Sequence, residues 1–197
     1  FLDWGVFHVE PSFVANWRAS RKCLANRNLL LKRSSLDEQQ LSAWDTELCS
    51  YANLVDFARR EYFESFAPML QKTLRSLGGR AMPDLAFTYY RGWGEDEELE
   101  QVLTNTLQAD LKYGVSQHGP QRADVRIKID RSNAVELLSR GQQKLVVCAM
   151  KIAQGILLSE AVGSRCIFLV DDLPAELDKE NRTAVLAQFK TWVGRCS

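Results

Sequence analysis

The chain has 197 residues, of which 46% are apolar and 25% are charged, so it is long enough for one substantial core or two modest ones. Its 25 basic and 25 acidic side chains give a formal net charge of zero, which argues against a protein that coats nucleic acid with its whole surface. No run of about 18 apolar residues occurs, so a cytoplasmic protein with no membrane partner is expected.

The first part of the chain predicts a helical arm. Residues 11 to 32 have helical spacing, and residues 37 to 77 form the most regular periodic segment. In residues 41 to 62 the apolar positions recur at alternating steps of three and four, which indicates one stripe that faces a partner helix. The short connection predicts an antiparallel hairpin, and Pro68 is expected to kink or end the second helix.

A basic stretch lies on the first arm helix. Six basic residues and no acid occur between Pro11 and Leu36. Lys and Arg bind phosphates without reading the base sequence, so this stretch is a candidate DNA-binding surface, and a solvated helix face is the equally weighted alternative. The candidates are Arg18, Arg21, Lys22, Arg27, Lys32 and Arg33.

The remaining chain alternates between strand and helix patterns. Alternating apolar residues predict half-buried strands, helical spacing predicts helices, and a continuous apolar run predicts a strand buried on both faces. The predicted elements are a strand over residues 85 to 89, a helix over 96 to 112, a strand over 125 to 129, a helix over 139 to 161, a central strand over 166 to 170 and a helix over 179 to 194.

The central strand is followed directly by Asp171 and Asp172. The carboxyl edge of an open α/β sheet is where ligands bind, and a carboxylate there can hold Mg²⁺. Asp171 is the candidate metal ligand, and Asp172 is the candidate group that orients or deprotonates an attacking water. Taken alone this motif is weak, because apolar runs followed by two aspartates are common.

A second motif opens the predicted helix over residues 139 to 161. Ser139 is a good N-cap residue, and Gly141 allows a ligand to approach the backbone closely. The N–H groups and the dipole of a helix start can bind an anion. For this motif alone, an ordinary capped helix packed on a sheet is an equally good interpretation.

The order of the motifs along the chain indicates a class of protein more specifically than either motif does alone. The string Leu-Ser-Arg-Gly-Gln at residues 138 to 142 precedes the Asp-Asp strand, and Leu-Asp at residues 177 to 178 follows it. This order resembles the signature motif, Walker B motif and D-loop of ABC ATPases. The resemblance implies that two subunits enclose ATP. The residues of the signature motif would then face ATP held by the partner subunit; they are Ser139, Arg140, Gly141 and Gln142. Asp171, with Mg²⁺, and Asp172 would serve ATP in their own subunit. Asp178 would lie near the dimer seam.

Further strings narrow the resemblance. Phe-Leu-Asp-Trp-Gly at residues 1 to 5, His-Gly-Pro-Gln-Arg-Ala-Asp at 118 to 124, and residues 171 to 178 resemble the RecF family of SMC-like ABC ATPases. The resemblance covers essentially the whole chain. Asp172, where most ABC ATPases have Glu, and Arg140, where Gly is commoner, both agree with this family. Gln121 departs from it, because His or a similar residue is expected there.

The resemblance implies a function in recombinational DNA repair and replication restart. It implies a weak ATPase that forms a homodimer on binding ATP, binds gapped duplex or single-strand/double-strand junctions, and acts with RecR and RecO to promote RecA loading. Two alternatives stay open: another ABC-type ATPase subunit, and a non-catalytic helical interaction module.

The expected fold class is α/β, as an α+β fragment of an ABC/SMC-type ATPase lobe with an inserted antiparallel helical hairpin. Residues 1 to 10 are expected to end an N-terminal lobe, 11 to 80 to form the arm, and 81 to 197 to form a truncated lobe with the signature and Walker B motifs. No G-x-x-x-x-G-K-[ST] string occurs, so the P-loop is expected upstream of Phe1. We therefore expect the 197-residue chain alone neither to bind ATP tightly nor to hydrolyse it.

Overall fold

The computed structural model of the chain describes residues 1–78, 82–163, 166–168, 183 and 185–187. Most of the described residues are helical, and a small three-stranded sheet has the order β1-β2-β3. The elements are α1 (Leu2–Val9), α2 (Phe13–Leu31), α3 (Glu38–Gly78), β1 (Ala86–Tyr90), α4 (Leu99–Asn105), α5 (Leu107–Tyr113), β2 (Asp124–Ile129), β3 (Ser132–Asn133), α6 (Ala134–Leu137) and α7 (Arg140–Val162), with a 3-10 turn at Pro120–Arg122.

The predicted arm helices are present as α2 and α3. Cys23 of α2 shares a buried cluster with Leu48 of α3, and nearer the connection Leu30 shares another with Leu41. Residues later in α2 therefore pack against residues earlier in α3, which makes the pair antiparallel. The prediction that Pro68 could end the second helix is wrong, because α3 continues through it to Gly78.

The chain divides into two compact units. The first contains Phe1–Glu61 and Tyr89–Val125, and the second contains Tyr62–Thr88 and Arg126–Ser197. The boundary falls inside α3, so one helix contributes to both units. The functional limits predicted for the arm and the ATPase lobe remain predictions.

The core of the first unit surrounds Trp93, which is completely buried. It contains Leu48 and Ala52 of α3 and buried residues of α4. The helix predicted over residues 96 to 112 is two helices, which join at Thr106. The hydroxyl of Thr106 donates to the carbonyl of Val102 at 2.8 Å, so this residue caps the end of α4 while α5 begins.

The second unit contains α7, whose buried face includes Leu145, Ala149 and Ile152. Burial raises the pKa of Tyr62 of α3 to about 12, and the Gln154 side chain of α7 acts in the opposite direction. By length and composition α7 could cross a membrane, with a mean hydropathy of 1.7 in an 18-residue window. The core helices of soluble proteins pass the same test, so this property alone assigns no membrane role.

Strands β2 and β3 pair antiparallel, with Lys128 opposite Asn133. Of the last two predicted elements, the strand differs from expectation and the helix agrees with it where it is described. The predicted central strand is not formed at residues 166–168, where Ile167 is 88% exposed, and residues 169–170 lie outside the described residues. The described residues of the last predicted helix, 183 and 185–187, are helical.

Candidate functional site

The candidate signature motif lies at the start of α7, with Ser139 as the N-cap. The Ser139 hydroxyl oxygen accepts from the backbone N–H of Gln142 at 3.3 Å, and the Ser139 backbone N–H donates to the Gln142 side-chain oxygen at 2.9 Å. This capping box satisfies two backbone donors reciprocally. Because the hydroxyl oxygen accepts in this arrangement, its proton remains available to donate to a phosphate oxygen.

The start of α7 is open on its outer side. Arg140 is exposed, and a Cβ added to Gly141 would meet no atom of the described residues within 4 Å. The first turn contains no acidic residue that would repel an anion. The Gln143 side chain donates to the carbonyls of Val135 and Leu138 at 2.9 and 3.0 Å, which fixes the approach to the helix. These groups suit a phosphate ligand, because a helix start offers N–H donors and the positive end of the dipole.

Packing against the described part of the chain does not explain a glycine at position 141. Glycine inside a helix lowers the stability of the folded protein by roughly 0.5–1 kcal/mol relative to alanine. The space beside Gly141 would accept the methyl group of an alanine. We therefore expect Gly141→Ala to raise the free energy of unfolding by about that amount, measured by urea denaturation. Destabilisation of the same size would show that a neighbouring group needs the space.

The Walker B and D-loop candidates cannot be placed in the same way. Asp171, Asp172 and Asp178 all lie outside the described residues. Their roles as metal ligand, catalytic residue and D-loop residue therefore remain predictions from the motif order.

The candidate DNA-binding residues divide into two groups. Five of them are exposed and form what we call the basic stripe: Arg18, Arg21, Lys22, Lys32 and Arg33. Arg27 is completely buried, so the prediction that it contacts DNA is corrected. Its guanidinium is occupied by groups of its own unit, which the spacing of basic residues could not reveal.

Arg27 is the centre of a buried polar network. It donates to Asp45 of α3 at 2.6 Å, to Asp110 of α5 at 2.7 Å and to the Ser116 hydroxyl at 2.6 Å. Burial raises the pKa of Asp45, and the Arg27 guanidinium opposes that rise. A buried network of this kind ties α2, α3, α5 and the turn after α5 into one arrangement, since each carboxylate depends on the same cation.

A second arginine joins two of the sequence strings. Arg59 of α3 holds both carboxylate oxygens of Asp3, at 2.7 and 2.9 Å, and donates to the Pro120 carbonyl at 2.8 Å. Burial lowers the pKa of Arg59, but the bonds to Asp3 outweigh this effect and raise it. The strings at residues 1 to 5 and 118 to 124 thus meet at one guanidinium.

Sequence reasoning missed the partners of these two arginines. Asp3, Asp45 and Asp110 are ordinary acids on a charged background, and their partners lie between 18 and 83 positions away in the chain. The sequence offered one signal for Asp3, which is that it lies within the string at residues 1 to 5 that resembles the RecF family. Its individual role needed the fold.

The chain is similar to curated proteins described as DNA replication and repair protein RecF. It is 49% identical over 185 residues to the protein of Pseudomonas fluorescens (strain SBW25), which covers 94% of this chain and 50% of that protein. The protein of Pseudomonas syringae pv. syringae (strain B728a) is 48% identical with the same coverage. The chain therefore spans about half the length of the curated relatives it matches. No protein-family model matches the chain.

Two solved structures have a similar fold. One is described as the recombination mediator protein RecF-ATP in the RecFOR pathway, with a TM-score of 0.81 and 27% identity over 95% of this chain and 52% of that one. The other, described as RecF-ATPrS in the same pathway, has a TM-score of 0.78 and 28% identity over 90% of this chain and 50% of that one. The expected fold class, a partial ATPase lobe with a helical arm, is confirmed by this likeness.

Proposed function

Because this chain belongs to the RecF family over the 185 residues aligned with curated relatives, we propose that the intact protein is an ATP-dependent DNA-binding protein of recombinational repair. The observation that carries this proposal is the 49% identity over 94% of the chain to proteins described as DNA replication and repair proteins. That identity also favours DNA repair over a transporter-type ATPase subunit or a helical module without nucleotide chemistry.

The start of α7 is the proposed nucleotide contact. Ser139 and Gly141 offer a hydroxyl proton and an open backbone, and Arg140 adds an exposed cation. We propose that these residues, with Gln142, bind the terminal phosphates of ATP held by a second copy of the protein. ATP would then stabilise a homodimer, since a ligand that binds only the closed pair shifts the equilibrium toward it.

The remaining nucleotide chemistry is proposed from the motifs. Asp171 would hold Mg²⁺, Asp172 would orient or deprotonate the attacking water, and Asp178 would lie near the dimer seam. Weak ATP hydrolysis would require the whole protein. The 197-residue chain alone is expected to be inactive, and micromolar binding of ATP to it would contradict this.

The basic stripe, which runs along α2 and into the turn after it, is the proposed DNA contact. Its five exposed cations would bind phosphates of gapped duplex or of a single-strand/double-strand junction. RecR and RecO are the proposed protein partners, with RecA loading as the outcome, in the cytoplasm.

The stripe predicts a charge-dependent loss of DNA affinity. Changing Arg21 and Lys22 to Glu in the intact protein should weaken binding to gapped duplex and reduce the slope of log K against log salt by about 0.9 for each lost phosphate contact. The matched control changes Lys72 and Arg75, two exposed cations of α3 outside the stripe, to Glu. Equal effects of the two double variants would show that net charge, rather than the stripe, attracts DNA.

A further inference from the structure

Trp17 of α2 connects the basic stripe to the buried interior of the first unit. Its indole N–H donates to Asp3 at 3.1 Å, and the Arg21 guanidinium lies over its ring, 4.7 Å from the centroid. Asp3 is itself held by two hydrogen bonds from Arg59. A continuous series of contacts therefore runs from the buried Arg59 to the exposed Arg21.

Three other exposed cations of the stripe are held less firmly. Within the described part of the chain, the side chains of Arg18, Lys22 and Arg33 have no hydrogen bond, ion pair or ring contact. A long side chain loses rotamer freedom when it binds a phosphate, and this loss is smaller for a side chain that is already held. Stacking through the flat face leaves the N–H edge of a guanidinium free for a phosphate.

We propose that Arg21 is a pre-organised contact for the phosphodiester backbone of DNA, and that Trp17 and Asp3 are the positioning residues that hold it. The inference rests on the proposed DNA-binding function and deepens it. It distinguishes Arg21 from the other four members of the stripe by geometry, since all five carry the same charge.

A double-mutant cycle in the intact protein, with gapped duplex and ATP present, tests the positioning role. Arg21→Ala should weaken binding and reduce the salt slope by about 0.9, because one phosphate contact is lost. Trp17→Leu should weaken binding by about two- to five-fold, the size of an exposed cation–π contact, and leave the salt slope unchanged because the charge remains. In the double variant, Trp17→Leu should have no further effect, which shows that the ring acts through Arg21.

The matched control pairs Trp17→Leu with Arg18→Ala, whose effects should add because the structure shows no contact between Arg18 and the ring. Trp17→Phe, which keeps a flat ring, should retain more affinity than Trp17→Leu and guards against a folding defect. Additive effects of Trp17 and Arg21, with Arg21 still required, would overturn the positioning role while leaving the DNA-binding proposal intact. Failure of the wild-type protein to bind gapped duplex would instead overturn the proposed function.

Discussion

Replacing Arg27 with methionine is expected to lower the free energy of unfolding by about 3–5 kcal/mol, because it leaves two buried carboxylates without their cation. Asp110 is completely buried and Asp45 is mostly so, and both carboxylates accept a hydrogen bond from, and form an ion pair with, the Arg27 guanidinium. The Ser116 hydroxyl loses its donor as well. Arg27→Lys should recover only part of the loss, since one ammonium cannot reproduce the fork that reaches all three partners.

The pH dependence separates this explanation from a simple loss of packing. Without Arg27, the effect of burial on Asp45 is no longer opposed by a cation, so the pKa of Asp45 in the folded protein should rise further and its carboxyl should become neutral at a higher pH. A folded-state pKa above the unfolded value gives stability that is present at low pH and lost as the pH rises through the folded value. The loss caused by Arg27→Met should therefore be smaller near about pH 5 than near about pH 8.

Urea denaturation followed by circular dichroism measures these effects. Arg18→Met is the matched control, because Arg18 lies on the same helix but is exposed, and its replacement should change the free energy of unfolding by no more than about 0.5 kcal/mol. If Arg27→Met were as mild as Arg18→Met at both pH values, the buried network would not stabilise the first unit.

Replacing Ser139 with arginine is expected to remove the effect of ATP on DNA binding while the fold is retained. The substitution removes the N-cap, which costs about 1 kcal/mol, and places a long cationic side chain at the positive end of the α7 dipole. That side chain would also occupy the open space beside Gly141. Allosteric couplings between ligands are typically 5- to 150-fold, so about that much tightening by ATP should disappear.

Two further variants at this position separate capping from nucleotide binding. Ser139→Asp keeps a good N-cap but brings a negative charge to the proposed phosphate contact, so stability should persist while the ATP effect is lost. Ser139→Ala should lose stability and retain more of the ATP effect than Ser139→Asp. A full ATP response in the Ser139→Asp protein would rule out a phosphate at this helix start.

Features with local causes were predictable from the sequence. The seam of α3 and the start of α7 at Ser139 follow from spacing and capping chemistry, and both are present. Gly114 ends α5 with a positive φ of 66°, a backbone conformation that glycine adopts readily at the end of a helix. These features depend on residues within a few positions of one another, where helix geometry limits the outcomes.

Features that depend on distant residues were not predictable. The spacing that made Arg27 resemble its exposed neighbours carried no information about Asp110, which lies 83 positions away. Pro68 does not end α3, because buried residues on both sides of it, such as Phe66 and Leu70, supply packing that can exceed the roughly 3 kcal/mol cost of a helical proline. Tertiary contacts therefore decided both outcomes.

The central claim is that ATP controls DNA binding by the intact protein through the start of α7. The most direct test measures the affinity of the intact protein for gapped duplex DNA at fixed salt, with ATP, with ADP and without nucleotide. The account predicts that ATP tightens binding by about 5- to 150-fold and that ADP does not. Equal affinity under all three conditions would contradict the claim, because the signature residues would then have no role in a nucleotide-dependent switch.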